Sequence, residues 1–205
     1  MRLMIFLFAL LLSQALMARP YQVELIIFSQ PTEQGMQNEY WPWINPIDPP
    51  ANARLVGSEL LPDLSGSKNH LNLIARHISQ TPGYAILTHR SWIQEMTDRP
   101  GKPVYLVANP YTIGTGGADR PTKAPLYQVT ATLSFSVNRY IDLAMDLVIR
   151  DPLSANHQQK NTYHSDDRFT YYEIKQKRRT KSGTLNYLDH PHIGVLIQFT
   201  PVPTA

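Results

Sequence analysis

The alternation of apolar and polar residues predicts a chain built mainly from β-strands. The clearest case is YQVTATLSFSVN (127–138), where every second residue is apolar and the residues between are Gln, Thr, Ser or Asn. A period of two buries one face of a strand and leaves the other in water. RYIDLAMDLVIR (139–150) continues the alternation, and the short join at 138–139 favours a hairpin, although a helix over 139–150 stays an alternative.

Five further segments have strand character. YQVELIIFSQ (21–30) is apolar on both faces towards its end, which is typical of a central strand. YAILTHRSW (84–92) and the shorter VYLVA (104–108) follow. At the end of the chain, we expect FTYYEIKQKRRTK (169–181) to pair antiparallel with IGVLIQF (193–199).

One segment, SKNHLNLIARHISQ (67–80), has helical periodicity. Its apolar residues follow i, i+3, i+4, i+7 spacing, with Ser67 as a candidate cap and Pro82–Gly83 as the end. The order strand, helix, strand permits a right-handed crossover with the first two strands parallel. The sequence therefore predicts a single α+β domain, with a largely antiparallel β-sheet and one amphipathic helix packed on one face.

The first residues predict export from the cytoplasm. Arg2 is followed by the apolar run LMIFLFALLL (3–12) and then by small residues at Ser13, Ala15 and Ala18. This is the order of a secretory signal peptide, and the run is short for a membrane span, which takes about 20 apolar residues. We expect residues 1–18 to be a cleaved signal peptide, residues 19–205 to form an exported domain, and no stable transmembrane span; a retained anchor is the alternative.

The amino-acid composition limits the kinds of covalent link, metal site and partner that the chain can have. A chain of 205 residues can bury a core without covalent staples, and the absence of cysteine excludes disulfides and thiolate metal sites. The formal charge of +3 is too mild to select a partner, so the distribution of charge matters more.

The basic run within residues 168–181 holds six cations against the single carboxylate of Glu173. In a strand, alternate side chains share a face about 6.6 Å apart. The cations predicted to share one face are Lys175, Lys177, Arg179 and Lys181. A solvated face or an edge strand protected by lysine is one interpretation. The other is a polyanionic partner, and export favours anionic lipid, lipopolysaccharide phosphate or peptidoglycan carboxylates over nucleic acid.

Aromatic residues and histidines offer further candidates. Trp41 and Trp43 lie in a Pro-rich segment and could stack on a sugar ring, or could pin the loop to the core. His190 and His192 lie beside Asp189, but a zinc site needs three or four ligands, so we expect no metal. The other interpretation of Asp189 is a turn residue.

No catalytic constellation is present in the sequence. The chain has no G-x-S-x-G nucleophile elbow, and His89 and Ser91 are strand neighbours two apart. The segment GTGGADR (114–120) lacks the Lys-Ser/Thr of a phosphate loop. We therefore expect no catalytic residues and no cofactor, and a binding function rather than an enzymatic one.

Several of these segments resemble one family, the CsiV peptidoglycan-binding proteins of gammaproteobacteria. The resemblance lies in GYAILTHRSW (83–92), NRYIDLAMDLVI (138–149) and above all KRRTKSGTLNYLDHPHIGVLIQFTP (177–201). Thr184 and Asn186 depart from the Glu and His typical of the family's closing signature. The resemblance implies a periplasmic, non-enzymatic accessory that binds peptidoglycan. Its implied partners are a class A penicillin-binding protein and the outer-membrane lipoprotein activator of that synthase.

The residues and the resemblance together give one set of candidate ligand-binding residues. They are Lys175, Lys177, Arg178, Arg179, Lys181, Tyr187, Asp189, His190, Trp41 and Trp43. Two other functions stay open: an envelope adaptor that binds only proteins, and a cell-wall hydrolase.

Overall fold

The protein is described here by a computed structural model, which covers residues 18–31, 48–64, 66, 68–111, 126–152 and 169–203. The elements in chain order are β1 (Arg19–Ser29), β2 (Arg54–Leu55), α1 (Asn72–Gln80), β3 (Ala85–Met96), β4 (Val104–Pro110), β5 (Tyr127–Val137), β6 (Ile141–Pro152), β7 (Phe169–Thr180), β8 (Asn186–His190) and β9 (Ile193–Pro201). Each strand predicted from the alternation is present, and residues 141–152 form a strand rather than a helix.

The strands form two sheets. The four-stranded sheet has the order β3-β1-β9-β8 and is antiparallel throughout. The five-stranded sheet has the order β2-β4-β5-β6-β7, and only the two-residue β2 runs parallel to its neighbour. The predicted α+β class with largely antiparallel pairing is confirmed.

The hydrophobic core lies between the two sheets. Apolar residues of β1, such as Leu25, and of β5, such as Leu133, belong to the same buried cluster. Trp92 of β3, Phe135 of β5 and Phe199 of β9 place their rings in contact, with centroids 6.4 Å and 5.6 Å apart. Each fully buried side chain of this size contributes about 1.5–3 kcal/mol of transfer free energy, so this double layer explains why the chain folds without disulfides.

The helix packs on the outer face of the four-stranded sheet. Leu71 and Ala75 are buried there against Ile26, Phe28 and Leu196. This confirms the predicted amphipathic helix on one face.

The helix is shorter than the apolar pattern predicts. It begins at Asn72, and the expected cap, Ser67, lies outside the described residues. The side chain of Glu24 takes the capping role at the helix start, because it accepts hydrogen bonds from the backbone N–H groups of His70 and Leu71.

Two predicted pairings are wrong. β1 and β3 are antiparallel, with Ser29 opposite Ala85, because the segment between them returns to the end of the sheet at which β1 finished. β7 and β9 do not pair, because the chain crosses between the sheets after β7. β7 pairs with β6, and β9 lies between β1 and β8.

Candidate functional site

Three cations of the basic run lie on the outer face of β7, at the edge of the five-stranded sheet, and Arg178 alternates with them. Lys175, Lys177 and Arg179 share that face, as the alternation predicts, while Ile174 points into the core. Lys181 was expected to extend the row, but β7 ends at Thr180, so Lys181 is not part of the strand.

Carboxylates of the neighbouring strand β6 and of β7 itself neutralise part of this row. Arg179 Nε lies 2.8 Å from Asp142 Oδ1, and this hydrogen bond raises the pKa of Arg179. Lys175 Nζ lies 2.6 Å from Glu173 Oε1 and 3.8 Å from Asp146 Oδ2. The hydrogen bond with Glu173 raises the pKa of Lys175. The outer face is therefore a mixed surface rather than the purely cationic ribbon that the local charge count suggests.

The remaining cations of this region keep their charges available. Lys177 lies opposite Ala144, which offers no counter-charge. Within the described part of the chain, Lys177, Arg178 and Lys181 make no ion pair, and all three side chains are exposed. These cations could bind an anionic ligand without first breaking an ion pair with another described residue.

A groove of about 420 Å³ lies beside these cations. The strand register sets Ser134, Ala144 and Lys177 side by side, and β7 adds Arg178 and Arg179. The small Ser and Ala side chains leave a hollow between the longer cationic ones. The lining is mainly apolar, and the hydroxyl groups and cations among the lining residues suit a ligand that combines carboxylates with peptide groups.

Tyr187 and Asp189 lie on a different surface, the outer face of the four-stranded sheet. The two sheets face one another across the core, so this surface and the groove are on opposite sides of the molecule. Among the residues that the structure describes, the predicted site residues therefore do not come together in one site.

Tyr187, Asp189 and Gln30 form a hydrogen-bonded group on that surface. The Tyr187 hydroxyl donates to Asp189 Oδ1 at 2.6 Å and lies 3.2 Å from Gln30 Oε1. Gln30 Nε2 donates to Asp189 Oδ1 and, at 2.6 Å, to the carbonyl of His190. The hydrogen bond from Tyr187 lowers the pKa of Asp189, so this carboxylate is ionised at neutral pH.

Two further aromatic rings lie next to this hydrogen-bonded group. Phe28 of β1 lies nearly parallel to Tyr187, with centroids 6.4 Å apart and 14° between the planes, and Tyr84 lies 6.0 Å from Phe28. We call Phe28, Tyr84 and Tyr187 the aromatic platform. Sequence patterning alone did not single out Phe28 and Tyr84, because apolar residues in or beside a strand look like ordinary core residues.

His190 faces the other way from its neighbours Tyr187 and Asp189. Its ring centroid lies 5.9 Å from that of Tyr172, and its Nδ1 accepts a hydrogen bond from the backbone N–H of His192. His192 in turn stacks on Tyr172 at 4.5 Å. His190 thus belongs to the β8–β9 turn and the junction with β7, not to the aromatic platform.

The remaining chemical candidates are two tryptophans and the pair His89 and Ser91. Trp41 and Trp43 lie outside the described residues. His89 Nε2 lies 2.7 Å from Glu24 Oε1, and Ser91 is fully buried and hydrogen-bonded to Gln22, so these two side chains are not arranged as base and nucleophile.

The described ranges hold no cluster of three potential metal ligands among His, Asp and Glu. Among the same residues, the structure contains no helix with the length and apolar content that a membrane crossing needs.

Comparisons with known proteins add family information. The family model described as "Peptidoglycan-binding protein, CsiV" matches residues 1–202. No curated protein matches the chain.

Two solved structures are distantly similar to it. The type II secretin GspD of enteropathogenic Escherichia coli is 11% identical, with 99% of this chain and 75% of that chain covered and a TM-score of 0.41. The pilotin–secretin AspS–GspD complex of ETEC is 10% identical, with 98% and 53% covered and a TM-score of 0.38. Neither likeness bears on function at these TM-scores.

Proposed function

Because the chain belongs to the CsiV family of peptidoglycan-binding proteins, we propose that it is a non-enzymatic periplasmic accessory of cell-wall synthesis. In this proposal, the groove beside Lys177 and Arg178 binds the carboxylate-bearing stem peptides of peptidoglycan. Residues 1–18 would direct export as a cleaved signal peptide. The family assignment supports the ligand class, and the groove is our proposal for where that ligand binds.

The observation that carries the proposal is the availability of Lys177 and Arg178. Neither makes an ion pair with a described residue, and both border a groove large enough for part of a peptide. Charge-assisted hydrogen bonds between cations and carboxylates are about twice as strong as neutral ones. The groove therefore offers its strongest contacts to a ligand with free carboxylates.

The other groove residues suit the rest of a stem peptide. The hydroxyl groups of Ser134 and Ser136 can donate to peptide carbonyls and accept from peptide N–H groups. A ligand carboxylate that replaces Asp142 as the partner of Arg179 brings Arg179 to the ligand. Arg179 then becomes a third cation for carboxylates.

The test measures retention of the purified mature protein on sacculi. The variant Lys177→Ala/Arg178→Ala should lose most retention, and raised salt should weaken retention of the unaltered protein, because exposed charge pairs are screened. The matched control is Lys68→Ala/Arg76→Ala, which removes two exposed cations near or on α1, outside the groove. Retention that is unchanged by both the groove variant and the salt would contradict the groove mechanism.

The partners belong to the same proposal. The family resemblance supports an interaction with a class A penicillin-binding protein and its outer-membrane lipoprotein activator. Co-purification from cells carrying the groove variant tests this separately from wall binding. Formation of the complex by a protein that never binds sacculi would favour the adaptor function instead, and release of soluble fragments from labelled sacculi would favour a hydrolase.

A further inference from the structure

Tyr187 holds an exposed aromatic face in a fixed orientation. Its side chain is 43% exposed, although Phe28 lies nearly parallel beside it and Asp189 holds its hydroxyl at 2.6 Å. The backing ring and the hydrogen bond fix the side chain before any ligand arrives. Less conformational entropy is then lost on binding, which favours association.

The close approach of Phe28 depends on Gly194. Phe28 of β1 is opposite Gly194 of β9, and a Cβ at position 194 would collide with the Phe28 ring. Because that space is free, the ring lies flat across β9 and reaches towards Tyr187 on β8. The aromatic platform is thus assembled from three strands and the segment before β3, not from one loop.

The polar edge of the platform selects the kind of ligand. Asp189 is exposed and ionised, so its carboxylate only accepts hydrogen bonds and repels anions. A suitable ligand has an apolar face for the ring of Tyr187 and N–H or O–H donors at its rim. Sugar rings meet both requirements, and N-acetylated amino sugars add an amide N–H.

We infer that the aromatic platform, with Asp189 as its polar edge, is a second binding site that takes the uncharged N-acetylated sugar rings of a glycan strand. This inference rests on the proposed function and adds a site with different chemistry. The groove takes carboxylates and the platform takes sugars. Since the two lie on opposite sides of the two sheets, one molecule contacts two separate strands of the wall.

The test uses glycan without peptides. The probes are a shorter and a longer β-1,4-linked N-acetylglucosamine oligomer, both uncharged, titrated into the purified protein and followed by NMR. The unaltered protein should bind both probes. Tyr187→Ala should weaken binding about five- to tenfold, whereas Tyr187→Phe should keep most of it, because the stacking face remains.

Two controls separate the site from general effects. Tyr140→Ala removes a partly exposed tyrosine of the β5–β6 turn and should bind the probes normally. Lys177→Ala/Arg178→Ala should also bind them normally, because N-acetylglucosamine oligomers carry no carboxylates. Asp189→Asn keeps the ring and should weaken binding about threefold, so the site stays testable if Tyr187→Ala fails to fold.

The outcomes distinguish the two proposals. Failure of the unaltered protein to bind peptide-free glycan, while it still binds whole sacculi through Lys177 and Arg178, overturns the platform and leaves the groove standing. Equal binding by Tyr187→Ala and the unaltered protein also overturns it. A protein that binds neither sacculi nor glycan contradicts both proposals, and normal glycan binding with unchanged sacculus retention in the groove variant contradicts the groove alone.

Discussion

Phe28 lies across Gly194, and its ring occupies the space that any larger side chain at position 194 would need. Position 194 has no positive φ value, so the requirement for glycine comes from the neighbouring ring rather than from backbone conformation. This contact holds the backing ring of Tyr187 in place. A packing relationship between β1 and β9 thereby controls the orientation of an exposed residue on β8.

The first prediction concerns that contact. Gly194→Ala should lower the free energy of unfolding by about 1–3 kcal/mol, because the added methyl group forces Phe28 to move within a packed layer. It should also weaken glycan binding, since Tyr187 loses its support. Urea denaturation measures the first effect and the glycan titration measures the second.

Gly101 provides the control, because a Cβ there would have no atom within 4 Å and its φ is not positive. Gly101→Ala should leave stability nearly unchanged. The double variant Phe28→Leu/Gly194→Ala should recover part of the lost stability, since the smaller side chain makes room for the methyl group. Full stability of Gly194→Ala would contradict this account of the contact.

The second prediction concerns the buried carboxylate below the helix. Glu24 is 1% exposed and accepts hydrogen bonds from the N–H groups of His70 and Leu71, with His89 Nε2 2.7 Å away. Glu24→Ala should destabilise the fold by about 3 kcal/mol, because it leaves buried donors without an acceptor at the start of α1. Denaturation and the loss of helical circular dichroism measure this.

Glu24→Gln should lower the free energy of unfolding less than Glu24→Ala does, since the amide oxygen can still accept one of these hydrogen bonds. Glu95→Ala on β3 is the control, because Glu95 is exposed and its loss should change stability by no more than about 0.5 kcal/mol. Equal stability of the Glu24 and Glu95 variants would show that Glu24 does not hold the helix start.

The third prediction concerns the ion pair between β6 and β7. Asp142→Asn should release Arg179 from its 2.8 Å contact and add one available cation beside the groove. Retention on sacculi at low salt should rise about twofold, and the gain should disappear at high salt.

Glu59→Gln removes one exposed carboxylate away from the groove and serves as the matched control. If both variants increase retention equally, net charge rather than Arg179 explains the effect. Reduced retention in Asp142→Asn would instead indicate that Asp142 itself contacts the ligand.

The fourth prediction uses the pKa of Tyr187. Burial, together with the hydrogen bond to Asp189, raises the pKa of Tyr187 to about 12, above the ordinary value of about 10. Because the folded-state pKa is raised, the stabilisation from protonated Tyr187 is fully present below about pH 10 and is lost as pH rises through about 12. The difference in tyrosinate absorbance between the unaltered protein and Tyr187→Phe isolates this group.

Asp189→Asn should lower the pKa of Tyr187 towards its ordinary value, because the negative acceptor is gone. Tyr111 gives an internal comparison: burial and Asp151 raise its pKa to about 12, so Asp189→Asn should leave it unchanged. If the pKa of Tyr187 is unchanged in Asp189→Asn, Asp189 does not hold the Tyr187 hydroxyl in solution.

The strand pattern was predictable because alternation is a local property of the chain. Residues 127–138 and 139–150 carry a period of two that buries one face, and they form the hairpin of β5 and β6. The pairing of distant strands was not predictable in the same way. The order of strands and helix along the chain permits a parallel β1–β3 pair, and the last two apolar segments suggest a β7–β9 pair. Neither pair forms, because the connecting segments decide which sheet each strand joins and in which direction it runs.

The candidate site residues show the same difference between local and distant relationships. Alternation placed Lys175, Lys177 and Arg179 on one face, and the structure agrees. The partner of Arg179, Asp142, lies 37 residues earlier on β6, so a local charge count could not include it. Lys175 is paired mainly with Glu173 of its own strand, which the local count did include.

The sequence by itself determined the strand content, the amphipathic helix and the family, because periodicity and motifs are written in neighbouring residues. Only the tertiary structure decided that residues 177–201 contribute to two separate surfaces. Lys177 ends up beside a groove on one sheet and Tyr187 on an aromatic platform of the other, although ten positions separate them along the chain. The physical reason is that the chain changes sheets after Thr180, and the two sheets bury their inner faces against each other, which turns their outer faces apart.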